Sequence, residues 1–409
     1  MPSYLIDPQA GAEHLLMGNE AIVRGALEAG VHVATGYPGT PSSEIIEAIS
    51  TVARERNIYA EWSINEKVAL EGAAAASFAG IRSLCVMKQN GVNVASDFLL
   101  HLASSGTRGG ILLITCDDPG ALSSVNEGES RLFAKLVEIP LLEPGDFQEA
   151  KDLTKWAFDL SEEIRNIVMV RSVTRMSHAS GNVVYGPLPE TEAHAAYRCD
   201  GPMLDFETGP VISMVLAAPE LQHGPQQEKL KKAAALFEDC PFNTYDGPDE
   251  PELLIITSSA CNLYTREAVH LLGLAGRVGI LKLATTWPLP PRLIQRNLSR
   301  ARQVLIVEEV YPTLEENVKI LAAGMAAETG LKTFFGKYSG HLPSVGELNP
   351  DKVMAALAAI FNLSLEPVDS SFLERLAALA EKMAPNRGMT FCPGCPHRAS
   401  YWSINNALA

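Results

Sequence analysis

The sequence predicts an α/β protein: a doubly wound parallel sheet followed by a second, smaller α/β domain. Three observations carry this. From about residue 19, short apolar runs alternate with helix-period stretches across short connections, the pattern of a parallel sheet covered by helices. A second alternating block starts near residue 251, after an interval that breaks the rhythm. At 409 residues with 47% hydrophobic content, the chain exceeds one ordinary core.

In the first block "NEAIVRGALEAG" reads as helix, "VHVATG" as strand, "SSEIIEAISTVARER" as helix and "IYAEWSI" as strand. An alanine-rich helix at 66–79 follows, then strand "IRSLCVMK", a helix at 93–103, strand "GGILLITC", a helix at 146–163 and the last strand, "NIVMVRS". Apolar residues at helical spacing or in short runs justify each assignment. Together they predict a domain over 1–178. Residues 179–250 gather Gly, Pro, His and Asp around one amphipathic helix, "PQQEKLKKAAALFED", and read as a linker. "ELLIITSSA", "RVGILKLATTWPLPP", "QVLIVEEVYP" and the helix "DKVMAALAAIFN" predict the second domain over 251–363. In 364–409 a helical spacer at 371–384 leads to "FCPGCPHRASYWSINNALA".

The net charge of -15 and the lack of a Lys/Arg cluster argue against a nucleic-acid grip or an anionic membrane surface. No run reaches the roughly 18 apolar residues of a membrane span. "MPSYLIDPQAGAEHLL" lacks the order of a signal peptide, so a cytoplasmic location is expected. Of seven cysteines, Cys85, Cys116, Cys199, Cys240 and Cys261 are scattered and read as buried thiols. Cys392 and Cys395 form the one close pair.

Ligands of a doubly wound sheet settle beyond the carboxyl ends of its strands. Three turns are predicted there: "GYPGTPSS" at 36–43, "IN" before Glu66, and "KQNGVN" at 88–93. In the first, prolines fix the backbone, Gly39 allows close approach, Ser42 or Ser43 can cap the next helix, and Thr40 points into the crevice. A rigid turn with a cap is the plainer alternative. Glu66 likewise fits the first turn of a helix capped by Asn65. Burial raises a carboxylic pKa further than a helix dipole lowers it, and a raised carboxyl in an apolar crevice suits a proton relay to a nitrogen heterocycle.

"GYPGTPSSEI", "NEKVALEGAAAAS", "MKQNGVNVASD", "NEGESR" and the distant "CPGCPHR" together resemble the thiamine-diphosphate-dependent 2-oxoacid:ferredoxin oxidoreductases, and most of all the large-subunit type that acts on indolepyruvate. The likeness implies a pyrimidine-binding domain at 1–178 and a transketolase C-terminal-like domain at 251–363. It implies that Glu66 hydrogen-bonds the aminopyrimidine of the cofactor and favours the imino tautomer that takes the thiazolium proton. Small residues behind Glu66 would then leave room for a flat ring. Gly39, Lys88, Gln89, Asn90, Gly91 and Asn93 fall at cofactor-side positions. Thr40 matches a substrate-holding position, Tyr37 and Pro38 shape the wall, and Arg131 is placed to pair a substrate carboxylate. A surface cation on a helix is the equal alternative for Arg131.

Two departures bear on substrate preference. Gln89 and Asn90 stand where the family form "MKHVGLN" has His-Val, and "NEGESR" replaces a form nearer "NEQDSR". The Gly-Asp-Gly stretch that anchors the magnesium diphosphate in this family is absent from the sequence, so the resemblance implies that another polypeptide supplies that half of the site. Cys392 and Cys395 correspond to two ligands of a four-iron cluster, completed by a partner. Structural zinc with His397, or a plain turn with idle thiols, are the other readings.

The function so implied is oxidative decarboxylation of an arylpyruvate with coenzyme A to acyl-CoA, carbon dioxide and reduced ferredoxin. The implied partners are a subunit with the diphosphate-binding domain and iron–sulfur clusters, ferredoxin, and a small gamma-type subunit. A non-catalytic scaffold retaining the pyrimidine-binding fold is the alternative. A plain nucleotide-binding protein is disfavoured, because no G-x-G-x-x-G or P-loop pattern follows a strand.

Overall fold

Strand formation follows the apolar runs. In the computed structural model, which describes residues 4–190, 192–198, 220–365, 369–384, 391 and 395–408, the first half of the chain holds β1 (Glu13–Met17), β2 (Val33–Gly36), β3 (Tyr59–Trp62), β4 (Ser83–Lys88), β5 (Ile111–Asp117), β6 (Leu141–Leu142), β7 (Val168–Val173) and β8 (Ser180–Val184). The second half holds β9 (Thr244–Asp246), β10 (Leu253–Ser258), β11 (Val278–Leu283), β12 (Thr285–Trp287), β13 (Gln303–Val307) and β14 (Thr333–Phe335).

The larger sheet has the order β12-β6-β7-β5-β4-β2-β3 and is parallel except at the β12–β6 edge. Alternate side chains of its central strands feed two apolar layers. Leu84 and Val86 of β4 pack with Ile22, Ile46 and Phe158 on one face, while Cys85 and Met87 pack with Leu70, Leu99 and Met169 on the other. Covered on both sides, β5 and β7 are buried at every position, which is why they read as continuous apolar runs. The smaller sheet runs β14-β13-β10-β11-β9, antiparallel only between β9 and β11.

The interval 179–250, expected to be a linker with one helix, does more structural work than that. β8 pairs antiparallel with β1, β9 joins the smaller sheet, and the helix Glu220–Phe237 buries Ala233 and Phe237 in the first core. The predicted boundary at 251 is also crossed in the other direction, since β12 completes the edge of the larger sheet beside β6. These strands are only two to five residues long, too short to show a period in the sequence. Among the described residues no helix is long and apolar enough to cross a membrane.

Chain order places the functional crevice. β2 sits between β3 and β4; the chain leaves β2 toward β3, and leaves β4 in the opposite direction toward β5. The topological switch therefore lies between β2 and β4, where an open α/β sheet leaves a gap beyond its strand ends.

Candidate active site

The turns after β2, β3 and β4 meet at this switch. After β2, Pro38 and Gly39 are buried, and Tyr37 and Thr40 are half-buried. Ser42 and Ser43, expected to cap the next helix, instead serve the turn itself. The Ser43 hydroxyl accepts the Gly39 N–H at 2.9 Å, and the Ser42 hydroxyl donates to the Gly39 carbonyl at 2.8 Å. Buried peptide groups need partners, and Gly39 finds both in these serines. Fully buried Asn19 adds a bond to the Pro41 carbonyl at 2.8 Å and one to Glu44 at 3.1 Å.

After β3, the Asn65 side chain accepts the Val68 N–H at 2.9 Å and caps the helix Glu66–Phe78, as its sequence predicts. Small residues let this helix sit close to the sheet. Thr35 donates to the Ala69 carbonyl at 2.6 Å and Ser83 to the Ala73 carbonyl at 2.7 Å, with Ala69, Ala73 and Ala74 fully buried. Most of the alanine content is thus explained by backbone approach, and of the helix's small residues only Gly72 and Ala75 are exposed.

Glu66 lies half-buried at the head of this helix, against the start of the next one, Gln89–Ser105. A Cβ on Gly91 would stand 2.5 Å from Glu66 Cγ and 2.8 Å from its Oε1. Glycine is therefore what lets the carboxyl lie there. Burial pushes the Glu66 carboxyl above its ordinary range, against a backbone hydrogen bond at its own N–H that pulls it down. Burial is the larger of the two.

At the end of β4, Lys88 is half-buried and occupies the N-cap position of the Gln89–Ser105 helix. Gln89 is 3% exposed; its Nε2 reaches the Ser124 hydroxyl at 3.3 Å, and its Oε1 has no hydrogen-bond partner. A Cβ on Gly128 would meet Gln89 Cγ at 2.6 Å, so the loop after β5 closes directly over Gln89. Asn90 is half-buried at the same helix start, whereas Asn93 is exposed one turn further along.

Sequence reasoning missed Asp118. It accepts hydrogen bonds from the Ser123 N–H at 2.8 Å, the Ser124 hydroxyl at 2.7 Å and the Thr174 hydroxyl at 2.8 Å. Burial opposes ionisation, but these bonds and the charge of Lys88 hold its carboxyl below the usual range. The signal was available, because Asp118 directly follows β5 and the strand-end rule used for the other turns applies there too.

Arg131 requires a correction. Expected to meet a substrate carboxylate, it is 1% exposed and lies at the junction of the two sheets. Its Nε bonds Glu129 at 2.8 Å and Nη1 bonds Glu308 at 2.8 Å, while Nη2 bonds Glu129, the Glu309 carbonyl and the Tyr311 carbonyl. Neighbouring Arg171 joins Asp117 at 2.6 Å and Glu143 at 2.5 Å. Burial would raise Glu129, yet the two guanidinium groups hold it down at about 2. The guanidinium of Arg131 is spent on the fold. Of the remaining predicted residues, Cys392 lies outside the described residues, and Cys395 is half-exposed just before the helix Pro396–Leu408.

Residues 24–217, which carry the Tyr37–Thr40 turn, Glu66 and the Lys88–Gly91 turn, match the family described as pyruvate flavodoxin/ferredoxin oxidoreductase, thiamine diphosphate-binding. The indolepyruvate oxidoreductase subunit IorA of Archaeoglobus fulgidus is 40% identical over 406 residues, covering 97% of this chain and 62% of that protein. Its namesake in Thermococcus kodakarensis is 38% identical over 399 residues, covering 97% of this chain and 60% of that protein. Residues 24–217 thus carry that family's thiamine-diphosphate-binding domain, and the chain as a whole is similar to the indolepyruvate oxidoreductase subunits. It spans about three fifths of the length of these relatives. A 2-oxoglutarate:ferredoxin oxidoreductase from Magnetococcus marinus, solved with 2-oxoglutarate, coenzyme A and succinyl-CoA, shares the fold with a TM-score of 0.65 at 17% identity, over 85% of this chain and 65% of that one. The fold is accordingly that of the family's pyrimidine-binding and transketolase-C-like domains.

The family's cofactor can be tested against the residues present. A carboxyl raised by burial, a glycine that clears space beside it and a buried amide oxygen lacking a partner fit an aminopyrimidine ring, which offers a basic nitrogen and an amino group. Among the described residues no cluster of three or more His, Cys, Asp or Glu side chains could hold a metal ion.

Proposed function

We propose that this chain is the pyrimidine-side subunit of a thiamine-dependent 2-oxoacid:ferredoxin oxidoreductase that acts on an arylpyruvate such as indolepyruvate. The reaction is oxidative decarboxylation with coenzyme A, giving an acyl-CoA, carbon dioxide and reduced ferredoxin. The observation that carries this reading is the Glu66 carboxyl, raised by burial and seated against Gly91 at the switch point. The naming of the 37–40% identical relatives as indolepyruvate oxidoreductase subunits supports the substrate class.

Thiamine diphosphate, when bound, supplies the carbon nucleophile and the electron sink for carbon–carbon cleavage. Glu66 would hold a proton at its carboxyl and share it with a ring nitrogen, a role favoured by the burial that raises the carboxyl above its ordinary range. Gln89 Oε1 accepts an N–H of the same ring. Thr40, with Tyr37 and Pro38 beside it, bounds the space for the 2-oxoacid on the β2 side.

A partner subunit closes the crevice and brings the diphosphate-binding half with magnesium. Exposed apolar side chains around the site, Ile64 at 77%, Val94 at 48% and Val125 at 101% exposure, support a covering surface. The four-iron clusters, ferredoxin docking and a small gamma-type subunit belong to that assembly, with Cys392 and Cys395 as ligands shared with the partner.

The decisive experiment is reconstitution with a polypeptide that carries a Gly-Asp-Gly segment and ferredoxin-type cysteines. The assembled wild type is expected to reduce ferredoxin in the presence of arylpyruvate, coenzyme A and thiamine diphosphate. Glu66→Gln should lower that rate at least ~1,000-fold, the combined loss of proton transfer and cofactor orientation. Near-normal turnover by the variant would overturn the role of Glu66, and no activity in any combination would favour a scaffold.

A further inference from the structure

Two sides of the loop after β5, residues 118–130, do different things. Toward the crevice, Ser124 receives Gln89 Nε2 at 3.3 Å. Gly128 lies so near that a Cβ there would meet Gln89 Cγ at 2.6 Å and Asn90 Oδ1 at 3.5 Å. Toward the second domain, the Glu127 carboxylate accepts the Gly346 N–H at 3.0 Å through Oε1 and at 3.2 Å through Oε2. Its Oε1 also accepts the Gly120 N–H at 2.5 Å, within the loop. Resting on the thiamine-enzyme reading above, we infer that Glu127 is a positioning residue: through it the second domain fixes the loop over Gln89 and so sets how firmly the crevice holds an aminopyrimidine ring.

The geometry is built for this tie. Both N–H donors are glycines with positive φ, 77° at Gly120 and 80° at Gly346, a backbone region that side chains with a Cβ rarely adopt. A Cβ on Gly120 would stand 3.3 Å from the Glu347 nitrogen, so the two turns lie against each other and offer their N–H groups to one carboxylate. Ionised acceptors of backbone N–H make the stronger class of hydrogen bond. Beside this contact, Arg175 in the helix Thr174–His178 grips the Glu347 carboxylate at 3.0 Å and 2.7 Å. Thr174 of the same helix donates to Asp118, the first residue of the loop. Residues 346 and 347 therefore meet the first domain at the loop itself and at the helix that holds its start.

The ends of the loop have their own anchors. Asp118 is bonded by Ser123, Ser124 and Thr174, and the Ser130 N–H donates to Asp117 at 3.0 Å. Glu127 acts on the stretch between, which carries the fully exposed Val125. Glu127 is half-buried and adjoins Gly128, so a displaced carboxylate shifts the residue packed on Gln89. Gln89 is 3% exposed and its Oε1 has no hydrogen-bond partner; Ser124 holds the other end of the amide, leaving that oxygen for a ring N–H. Loosening the loop at Glu127 thus loosens the orientation of the acceptor.

The test uses the reconstituted complex of wild type, Glu127→Ala, Glu127→Gln, Gln89→Ala and the Glu127→Ala/Gln89→Ala double variant. Half-saturating thiamine diphosphate is measured with arylpyruvate and coenzyme A in excess. The lower end of the range for a charged hydrogen bond sets the scale at ~10-fold. Glu127→Ala is expected to raise the half-saturating concentration by that factor and to change kcat at saturation far less. Glu127→Gln keeps an oxygen that can accept both N–H groups and should stay near wild type. Because the effect runs through Gln89, Glu127→Ala should add little in the Gln89→Ala background, whereas independent structural losses would add. In the chain alone, amide hydrogen exchange over 119–130 should quicken ~10-fold in Glu127→Ala, with the thermal midpoint little changed. An unchanged half-saturation in Glu127→Ala, full additivity with Gln89→Ala, or unchanged exchange over 119–130 overturns the inference and leaves the 2-oxoacid reading intact. Absence of arylpyruvate turnover by the wild type overturns both. Glu127→Ser answers the same question if Glu127→Ala does not fold.

Discussion

The crevice around Glu66 lies within the first domain, the junction around Arg131 joins that domain to the second, and the two treat charge in opposite ways. At the junction, Arg131 and Arg171 are 1% exposed and bonded to Glu129, Glu308, Asp117 and Glu143. Each of these charges meets an opposite one inside the protein, although Asp117 Oδ1 and Arg171 Nη2 keep no hydrogen-bond partner. In the crevice, Glu66 is half-buried with a raised carboxyl, Gln89 keeps an unpartnered oxygen, and glycines at 39, 91 and 128 hold space open. Internal saturation makes a region rigid and chemically inert, whereas unmatched polarity costs stability and leaves something for a ligand to complete. Two charged residues that look equally functional in a sequence can therefore belong to different classes, and the test is how much of their bonding capacity the fold has consumed.

Substitutions should separate the two regions. The largest effect is expected from Arg131→Met, which strands Glu129 and Glu308 in a buried site. Removing one partner of such a network costs about 3–5 kcal/mol, to be read as a lower urea midpoint for unfolding. A variant with wild-type stability would show that the junction does not hold the domains together.

Gly91→Ala should behave in the opposite sense. The new methyl would displace the flexible Glu66 side chain, so turnover of the reconstituted complex should drop roughly 100-fold, as a misplacement of about 1 Å can produce, with the unfolding midpoint little changed. Equal losses of stability and activity would blur the distinction between crevice and junction.

The mildest effect is a pH dependence at the junction. Burial raises the Glu309 carboxyl to about 7, opposed by the Leu348 N–H and the charges of Arg171 and Lys337, while its Oε1 lacks a partner. An acid whose folded pKa lies above its unfolded value binds its proton more tightly in the folded state. Its stabilising contribution is complete below the unfolded pKa, near 4.5, and is lost as pH rises through about 7. Stability measured by denaturant should therefore decline between roughly pH 5 and 8, and Glu309→Gln should flatten that slope. A slope of equal size in the variant would assign the effect to other groups.

Much of the fold was legible because its central strands are apolar on both faces and its helices carry a clean period. β2, β4, β10 and β13 fall within the runs read as strands, and β5 overruns its run by one residue, Asp117. The short pairs β1–β8 and β6–β12 were not legible; a strand of two to five residues is defined by its neighbour more than by any period of its own. At the site, Asn65 as cap and Glu66 as a raised acid follow from local rules. Ser42 and Ser43 were misread because their partner, Gly39, becomes buried only when the turn folds back on itself.

By itself the sequence determined the alternating architecture, the family likeness and the turns at the strand ends, since all of these are written in local periodicity and short contiguous motifs. The tertiary structure alone decided which charges stay available. Arg131 meets Glu308 across 177 positions of chain, and no local pattern records that encounter. Lys88 lies along Gly39, a residue of the turn after β2. Hydrogen-bonding capacity is consumed by whatever the fold brings near, so the function of a charged side chain is settled only once its neighbours are known.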